Sequence, residues 1–172
     1  NALYQHNFQK WGQVCDLISL GQGAYWNLGN VQYINHEKSK DYASSIESGN
    51  LPIERATKLS NDEMMRRHMI LGMKTGVNIQ DFETRYGTHP LNTSFGSVIE
   101  TLLQVGAIEE TETGYKISLA GQLAGAGSVQ NKFYSPETKA ICEAREEKIH
   151  NVKITPRIIP VELNDSLPLN NG

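Results

Sequence analysis

The glycine-rich stretch CDLISLGQGAYW, at 15–26, is the part of the sequence whose residue types most readily suggest ligand chemistry. An apolar run at 14–20, predicted to be a buried strand, ends at Gly21-Gln22-Gly23-Ala24, where missing side chains would let a ligand approach the backbone. A dinucleotide fingerprint needs G-x-G-x-x-G followed by a helix. Trp26 occupies the third glycine position and no helix is predicted after it, so a Rossmann site is excluded. Two interpretations stay open: close approach of a ligand, or a tight connection between strands.

Elsewhere the chemically reactive residues form no recognisable catalytic or metal-binding motif. The five histidines show no two-ligand spacing such as i, i+4, and each is interpreted as an ordinary core or surface residue. Cys15 and Cys142 lie far apart and outside any CxxC pattern, which argues against a disulfide framework, a zinc ribbon or a self-contained iron–sulfur site. No Gly-x-Ser-x-Gly motif and no P-loop are present. We therefore predict no catalytic residue and no metal ligand within this chain.

Composition and charge narrow the class of protein. Of the 172 residues, 38% are hydrophobic and 20% charged, which is typical of a folded domain with a core. The net charge of -3 provides no general attraction to nucleic acid or anionic lipid. No apolar stretch could span a bilayer and no signal peptide is recognised, so a cytoplasmic location is predicted. The chain starts at Asn1-Ala2 without Met, and we expect it to be a piece of a longer protein.

Three helical patterns followed by two short strands predict the architecture of the middle of the chain. Ser60 and Glu63 form a capping-box signature for a helix that runs to about residue 75. Asn78 is expected to cap a second helix, and a third carries an apolar stripe at i, i+3, i+4, i+7 and i+8 from Phe95. A turn at 112–114 then joins two strands. The order helix, helix, helix, β-hairpin predicts a winged-helix topology.

The charges of this segment oppose DNA binding. Between Asn78 and Leu119, two basic residues stand against six acidic ones, and the third helix has no Lys or Arg. Neutralisation of phosphates supplies most non-specific affinity for DNA, and this surface would repel the backbone instead. We therefore expect no nucleic-acid partner.

A series of stretches gives a more specific indication through its order and spacing. The stretches are HNFQ (6–9), DLISLGQGA (16–24), Tyr33 with Asn35, Tyr42, Gly49-x-x-Pro52, LSNDEMMRR (59–67), LGMKTGVNIQDFETRYG (71–87), VIETLLQVGAIE (98–109) and KISLAGQL (116–123). Together they resemble the C-terminal part of the oxygen-independent coproporphyrinogen III oxidase family of radical S-adenosylmethionine (SAM) enzymes. The tail beyond about residue 131 has no counterpart in this resemblance.

The resemblance implies an α+β fold, and the chain divides into three parts. Residues 1–53 would be the end of a partial TIM-like radical SAM barrel with a connecting helix. Residues 54–130 would form a mostly helical, winged-helix-like domain that covers the substrate cleft. For 131–172 the residues themselves, and not the resemblance, predict a helix that starts at Ser135-Pro136-Glu137 and an extended tail.

The resemblance also implies binding residues. The predicted neighbours of S-adenosylmethionine are Gly21, Gly23, Ala24 and Tyr25. The predicted substrate contacts are Asn7, Phe8 and Gln9. In the family the N-F-Q stretch continues with Gly-Tyr, where Lys10 and Trp11 stand here, and Gln22-Gly23 replaces a common Val-Ser. These departures leave open which tetrapyrrole is the substrate.

The CxxxCxxC motif that would hold the [4Fe–4S] cluster is absent from the sequence. The resemblance therefore implies that the cluster and most of the barrel lie upstream of Leu3, and that this upstream barrel and a tetrapyrrole are the partners. The implied reaction is oxidative decarboxylation of coproporphyrinogen III to protoporphyrinogen IX in anaerobic haem biosynthesis. Whether this fragment is itself an enzyme stays open. The alternatives are a haem chaperone or a haem-degrading relative on the same scaffold, and a winged-helix module that binds protein.

Overall fold

A computed structural model describes residues 15–151, with the side chains of 15–144, and shows an α+β fold. The strands are β1 Tyr25–Leu28, β2 Val31–Asn35, β3 Ile53–Lys58, β4 Val77–Asn78, β5 Ile108–Glu110 and β6 Gly114–Ile117. The α-helices are α1 Ser39–Glu47, α2 Asn61–Gly72, α3 Ile79–Tyr86, α4 Gly96–Gln104, α5 Leu119–Leu123, α6 Ala126–Gln130 and α7 Pro136–Asn151. Short 3-10 turns cover Pro90–Asn92 and Asn131–Phe133. Among the residues described, no helix is long and apolar enough to cross a membrane.

Strands β1, β2 and β3 form an antiparallel sheet in that order. A tight turn containing Gly29, with φ of 56°, joins the first two strands and sets Trp26 opposite Tyr33. The strand predicted around Tyr33 is confirmed. The buried strand predicted at 14–20 is wrong for the residues described, because only Leu17 makes a β-bridge there.

The helices α2, α3 and α4 pack with the sheet β4-β6-β5 around one apolar core. The capping box predicted for α2 is confirmed: the Ser60 hydroxyl accepts from the Glu63 amide at 3.3 Å, and the Ser60 amide donates to Glu63 Oε2 at 2.7 Å. The helix ends at Gly72, a few residues before the predicted end. The largest core side chains are Phe82, Phe95, Phe133, Met69, Met73 and Ile99.

Close packing between α5 and the loop before β5 depends on a glycine. A Cβ atom added at Gly121 would lie 2.1 Å from the Ala107 carbonyl oxygen. Backbone atoms cannot yield as a flexible side chain can, so this position admits no side chain.

Candidate functional site

The glycine turn at 21–24 has left-handed backbone angles at both of its glycines, and its amides donate hydrogen bonds to other groups of the protein. Gly21 and Gly23 have φ of 103° and 64°, which residues with a Cβ rarely adopt. The Gly21 amide donates to the Tyr42 hydroxyl at 3.0 Å, and the Gly23 amide donates to the His36 carbonyl at 2.9 Å. A Cβ at Gly21 would meet nothing within 4 Å, so conformation rather than crowding requires this glycine. One face of the turn is therefore open.

Asn35 fixes the turn to the sheet. Its side chain, on a residue only 2% exposed, donates to the Gly21 carbonyl at 2.9 Å and to the Ser19 carbonyl at 3.2 Å. Its Oδ1 accepts from Trp26 Nε1 at 2.8 Å. A buried polar group with all these partners is a strong determinant of local geometry. The sequence indicates Asn35 only through the family resemblance.

Removing the Tyr42 hydroxyl should loosen this turn. We expect Tyr42→Phe to lower the free energy of unfolding by about 1 kcal/mol, since the Gly21 amide loses its acceptor. Urea unfolding followed by circular dichroism measures this loss. Tyr25→Phe is the control, because Tyr25 is 66% exposed and its hydroxyl makes no hydrogen bond among the residues described. Equal effects of the two variants would contradict the role given to Tyr42.

A cavity of about 370 Å³ lies between the strands β1 and β2 and helix α2, and residues 21–24 of the glycine turn are not part of its lining. Trp26 and Tyr33 are among its lining residues, but their rings, stacked with centroids 4.0 Å apart and planes inclined by 15°, lie on the face of the two strands opposite to the Asn27 side chain. Tyr25, the last residue of the glycine-rich stretch with a predicted role, lines the same cavity. The aliphatic part of the lining comes from Leu17, Leu59, Ile70 and Leu71. Such a mixture of flat aromatic and apolar surface is typical of small-molecule sites.

Two consecutive arginines of α2 line the cavity, and the first has a structural role. Arg66 donates from Nε to Asp62 at 2.6 Å, from Nη2 to the Ser94 hydroxyl at 2.7 Å and from Nη1 to the Phe133 carbonyl at 3.1 Å. Its guanidinium also lies 5.2 Å from the centroid of the Phe95 ring. Arg66 therefore joins α2 to two segments that are distant in sequence.

Asp62 completes this network. The Ser94 hydroxyl donates to Asp62 Oδ1 at 2.6 Å. Burial by itself would raise the pKa of Asp62, but the hydrogen bonds from Ser94 and Arg66 and the charge of Arg66 outweigh it and leave that pKa below its usual value.

Arg67, the second of these arginines, makes fewer hydrogen bonds within the described residues than Arg66 does. It is half-buried, lines the cavity, and donates one hydrogen bond, from Nη2 to Asn27 Oδ1 at 2.7 Å. Burial lowers its pKa; Tyr86 and Asp16 act in the opposite direction, and the nearby Arg85 adds to the lowering. An arginine stays charged despite such a shift. The sequence analysis did not single out this residue, although it lies within the matching stretch LSNDEMMRR.

His68 follows Arg67 but lies in the core, where it is 1% exposed. Neither ring nitrogen has a hydrogen-bond partner, and the ring contacts Phe82 and Tyr86 at centroid distances of 5.3 and 5.7 Å. Burial, with repulsion by Arg85 and Arg67, lowers the pKa of His68 to about 4. It is therefore neutral at pH 7. From the sequence, His68 beside the methionines of α2 could suggest a metal or haem pocket, but an ordinary core or surface histidine was the favoured interpretation, and the structure places it in the core.

The predicted cofactor neighbours Gly21, Gly23, Ala24 and Tyr25 do lie together, in the turn and at the start of β1. The substrate contacts Asn7, Phe8 and Gln9 lie outside the described residues. An adenosyl group fits the open face of the turn and the exposed Tyr25 ring, although the amides of Gly21, Gly23 and Ala24 already have acceptors within the protein. The residues present do not fit a [4Fe–4S] cluster: the sequence has two cysteines, and among the described side chains of 15–144 no three His, Cys, Asp or Glu could hold a metal ion.

Comparison with known proteins identifies relatives. No protein-family model matches the chain. The oxygen-independent coproporphyrinogen III oxidase of Pseudomonas aeruginosa is 31% identical over 87 residues, which are 48% of this chain and 19% of that protein. The chain resembles the oxygen-independent coproporphyrinogen III oxidases. The resemblance predicted from the sequence is thus confirmed.

One solved structure has a fold similar to that of this chain. The solved coproporphyrinogen III oxidase of Escherichia coli, a radical SAM enzyme, superposes with a TM-score of 0.52 at 18% identity. The alignment covers 69% of this chain and 28% of the E. coli chain. At this identity the likeness shows the fold alone. The chain spans about a fifth of the curated coproporphyrinogen III oxidase and just over a quarter of the solved one.

Proposed function

We propose that this chain is the part of a cytoplasmic radical SAM protein that covers the substrate cleft. The reaction is the oxidative decarboxylation of coproporphyrinogen III to protoporphyrinogen IX in anaerobic haem biosynthesis. Each of two propionates becomes a vinyl group by losing CO₂, a hydrogen atom to a 5′-deoxyadenosyl radical and one electron to an external one-electron acceptor. The observation that carries the proposal is the cavity that Tyr25 of the glycine-rich stretch shares with helix α2. One ligand there would contact both halves of the fragment.

In this proposal the three parts of the chain have different tasks. Residues 1–53 end a partial TIM-like barrel whose remainder lies upstream in the same protein. Residues 54–130 form the winged-helix-like cover, in which α2, α3 and α4 precede the β5–β6 hairpin. Residues 131–172 contribute the start of α7, whose first turn borders the cavity through Ser135 and Thr138.

The cofactors are S-adenosylmethionine and a [4Fe–4S] cluster held by the upstream barrel. Together they supply a 5′-deoxyadenosyl radical that removes a hydrogen atom from the substrate. This chain contributes the open face of the glycine turn, with Gly21, Gly23, Ala24 and Tyr25 as neighbours of the cofactor. It also contributes the apolar lining of the cavity, which excludes water, and the exposed ring of Tyr25, against which a pyrrole ring can lie. Asn7, Phe8 and Gln9 remain the proposed substrate contacts.

The test uses the complete reading frame that contains this chain, purified without oxygen. With S-adenosylmethionine and a reductant, we expect formation of protoporphyrinogen and 5′-deoxyadenosine. Tyr25→Ala should lower kcat/KM about tenfold, because an aromatic contact in the cavity is lost. Arg55→Gln is the matched control, since Arg55 is exposed, pairs with Glu37 and lies outside the cavity lining.

Two other outcomes would assign a different function. Stoichiometric haem binding without turnover of porphyrinogen would indicate a haem chaperone on the same scaffold. Failure both to cleave S-adenosylmethionine and to bind any tetrapyrrole would overturn the proposal and favour a protein-interaction module.

A further inference from the structure

We propose that a second cavity, which is lined by Arg67 of helix α2 and Arg85 of helix α3, binds a compact oxyanion, the phosphate or carboxylate group of a small ligand. This arginine cavity has a volume of about 360 Å³ and lies where the turn between β1 and β2 meets the two helices. The inference goes beyond the proposed function and does not rest on it, because it requires neither a tetrapyrrole nor the cavity that contains Tyr25.

Helices α2 and α3 bring the two arginines to one space. The Tyr86 hydroxyl at the end of α3 donates to the Met64 carbonyl of α2 at 3.2 Å, and both of these residues line the arginine cavity. Arg85 precedes Tyr86 in the last turn of α3. Burial is the main cause that lowers the pKa of Arg67, and the charge of Arg85 lowers it further. The two like charges are therefore close enough to act on each other.

Arg67 is held in place and keeps donors for a ligand. Its Nη2 donates to Asn27 Oδ1 at 2.7 Å, and Asn27, only 6% exposed, is fixed at its other end by its hydrogen bond to the Cys15 carbonyl at 3.2 Å. Asn27 and Cys15 both line the arginine cavity. A guanidinium has five N–H donors, and among the described residues Asn27 is the hydrogen-bond acceptor of Arg67. The side chain is thus preorganised, which lowers the entropy cost of binding.

The lining of the arginine cavity carries a net positive charge. Arg67 and Arg85 stand against one carboxylate, that of Asp16. Asp16 is exposed, and its Oδ1 already accepts from the Gly29 amide at 2.8 Å. Burial lowers the pKa of Arg67 more than the attraction of Asp16 raises it. An exposed carboxylate is screened by water, so the cavity retains a field that attracts an anion.

The rest of the lining favours a small polar group over a ring. Tyr86 is the aromatic residue of this lining, and its ring packs on Phe82 and His68, with centroids 4.7 and 5.7 Å away. A guanidinium presents parallel N–H groups that match two oxygens of a carboxylate or phosphate. Charge and N–H geometry, rather than stacking, therefore define the ligand.

The experiment titrates the 172-residue chain with inorganic phosphate and with succinate, at constant ionic strength over a chloride background. Isothermal titration calorimetry measures the affinity, and thermal unfolding measures the rise in Tm that a ligand of the folded state produces. We expect saturable binding of at least one anion. Arg67→Gln and Arg85→Gln should each weaken it about tenfold, because charge-assisted hydrogen bonds are lost. Arg85→Lys should lose less, since it keeps the charge but not the planar fork.

Asp16→Asn should change the affinity in the opposite direction. The new side chain keeps an oxygen for the Gly29 amide and removes the negative charge that competes with the ligand. Binding should tighten about threefold, as expected for one exposed charge. A purely structural role of the arginines would not produce this gain. Arg55→Gln is the matched control: it removes an exposed positive charge that pairs with Glu37 outside the arginine cavity, and the affinity should not change.

Arg85 lines this cavity and not the one that contains Tyr25, so its variants identify the site. Wild-type affinity in Arg85→Gln would overturn the inference, as would the absence of saturable binding of both anions. If Arg67→Gln does not fold, Arg85→Gln and Asp16→Asn decide, because both replaced residues are exposed. Tighter binding of phosphate than of succinate would assign a phosphate group, the reverse order would assign a carboxylate, and either order supports the inference. None of these outcomes depends on the proposed reaction.

Discussion

Gly121→Ala is expected to lower the free energy of unfolding by about 3 kcal/mol. The added Cβ would lie 2.1 Å from the Ala107 carbonyl oxygen and 3.0 Å from a methyl group of Ile117. Relief would require α5 to move away from the loop before β5, which would strain the Ser118 amide's bond to the Ala107 carbonyl at 3.1 Å. Thermal unfolding should show a fall in Tm of roughly 6 to 12 °C.

Gly127→Ala provides a control with the opposite sign. Gly127 also lies in a short helix, α6, but a Cβ there would meet nothing within 4 Å. Alanine favours helices over glycine, so this variant should gain about 0.5 to 1 kcal/mol. If both alanines stabilised the protein, the close approach of α5 to Ala107 would be incorrect.

Stability is expected to fall by about 3 kcal/mol between pH 6.5 and pH 4 because of His68. Its pKa is lowered to about 4 in the folded protein from 6.5, by burial and then by repulsion from Arg85 and Arg67. The unfolded chain therefore binds a proton in this range that the folded protein does not. The stability is fully present above pH 6.5, declines as the pH falls, and loses nothing more from this group below pH 4. Each pH unit contributes about 1.4 kcal/mol.

His68→Phe tests this expectation by removing the titrating group from a pocket already walled by Phe82 and Tyr86. Urea unfolding at several pH values should show that the slope between pH 6.5 and 4 becomes shallow in the variant. Asp62→Asn is the control, because the pKa of Asp62 is lowered in the folded protein and its own loss of stability comes only as the pH falls below the ordinary aspartate pKa of 3.8. An unchanged slope in His68→Phe would refute the assignment.

Local signals in the sequence predicted the helical unit well. The capping box at Ser60 and the glycine that ends α3 at position 87 depend on contacts within four residues, so residue types and spacing suffice to identify them. The buried strand predicted before the glycine turn failed for a different reason. Ile18 and Leu20 are 68% and 89% exposed, because an apolar run becomes a buried strand only when other segments cover it.

The position of the candidate site could be predicted from the sequence, but the contacts between its side chains could not. The glycine turn could be located from Gly21 and Gly23 alone, since positive φ restricts residue type. The partnership of Arg67 with Asn27 joins residues 40 positions apart, and nothing in the spacing indicates it. The isolation of His68 is likewise invisible in sequence, because it depends on which groups other elements bring near.

The network of Arg66 has a consequence for synthesis on the ribosome. Besides Asp62 one turn away, Arg66 bonds to Ser94 and to the Phe133 carbonyl, which come 28 and 67 residues later in the chain. The sheet of β1, β2 and β3 has all the pairing partners of its strands as soon as Lys58 has emerged from the ribosome. It can therefore form during translation. The Arg66 side chain of α2 can donate its last hydrogen bond, to the Phe133 carbonyl, only after Phe133 has left the exit tunnel. The contacts of Arg66 are therefore completed later than those between the strands β1, β2 and β3, and only after residue 133 has been made.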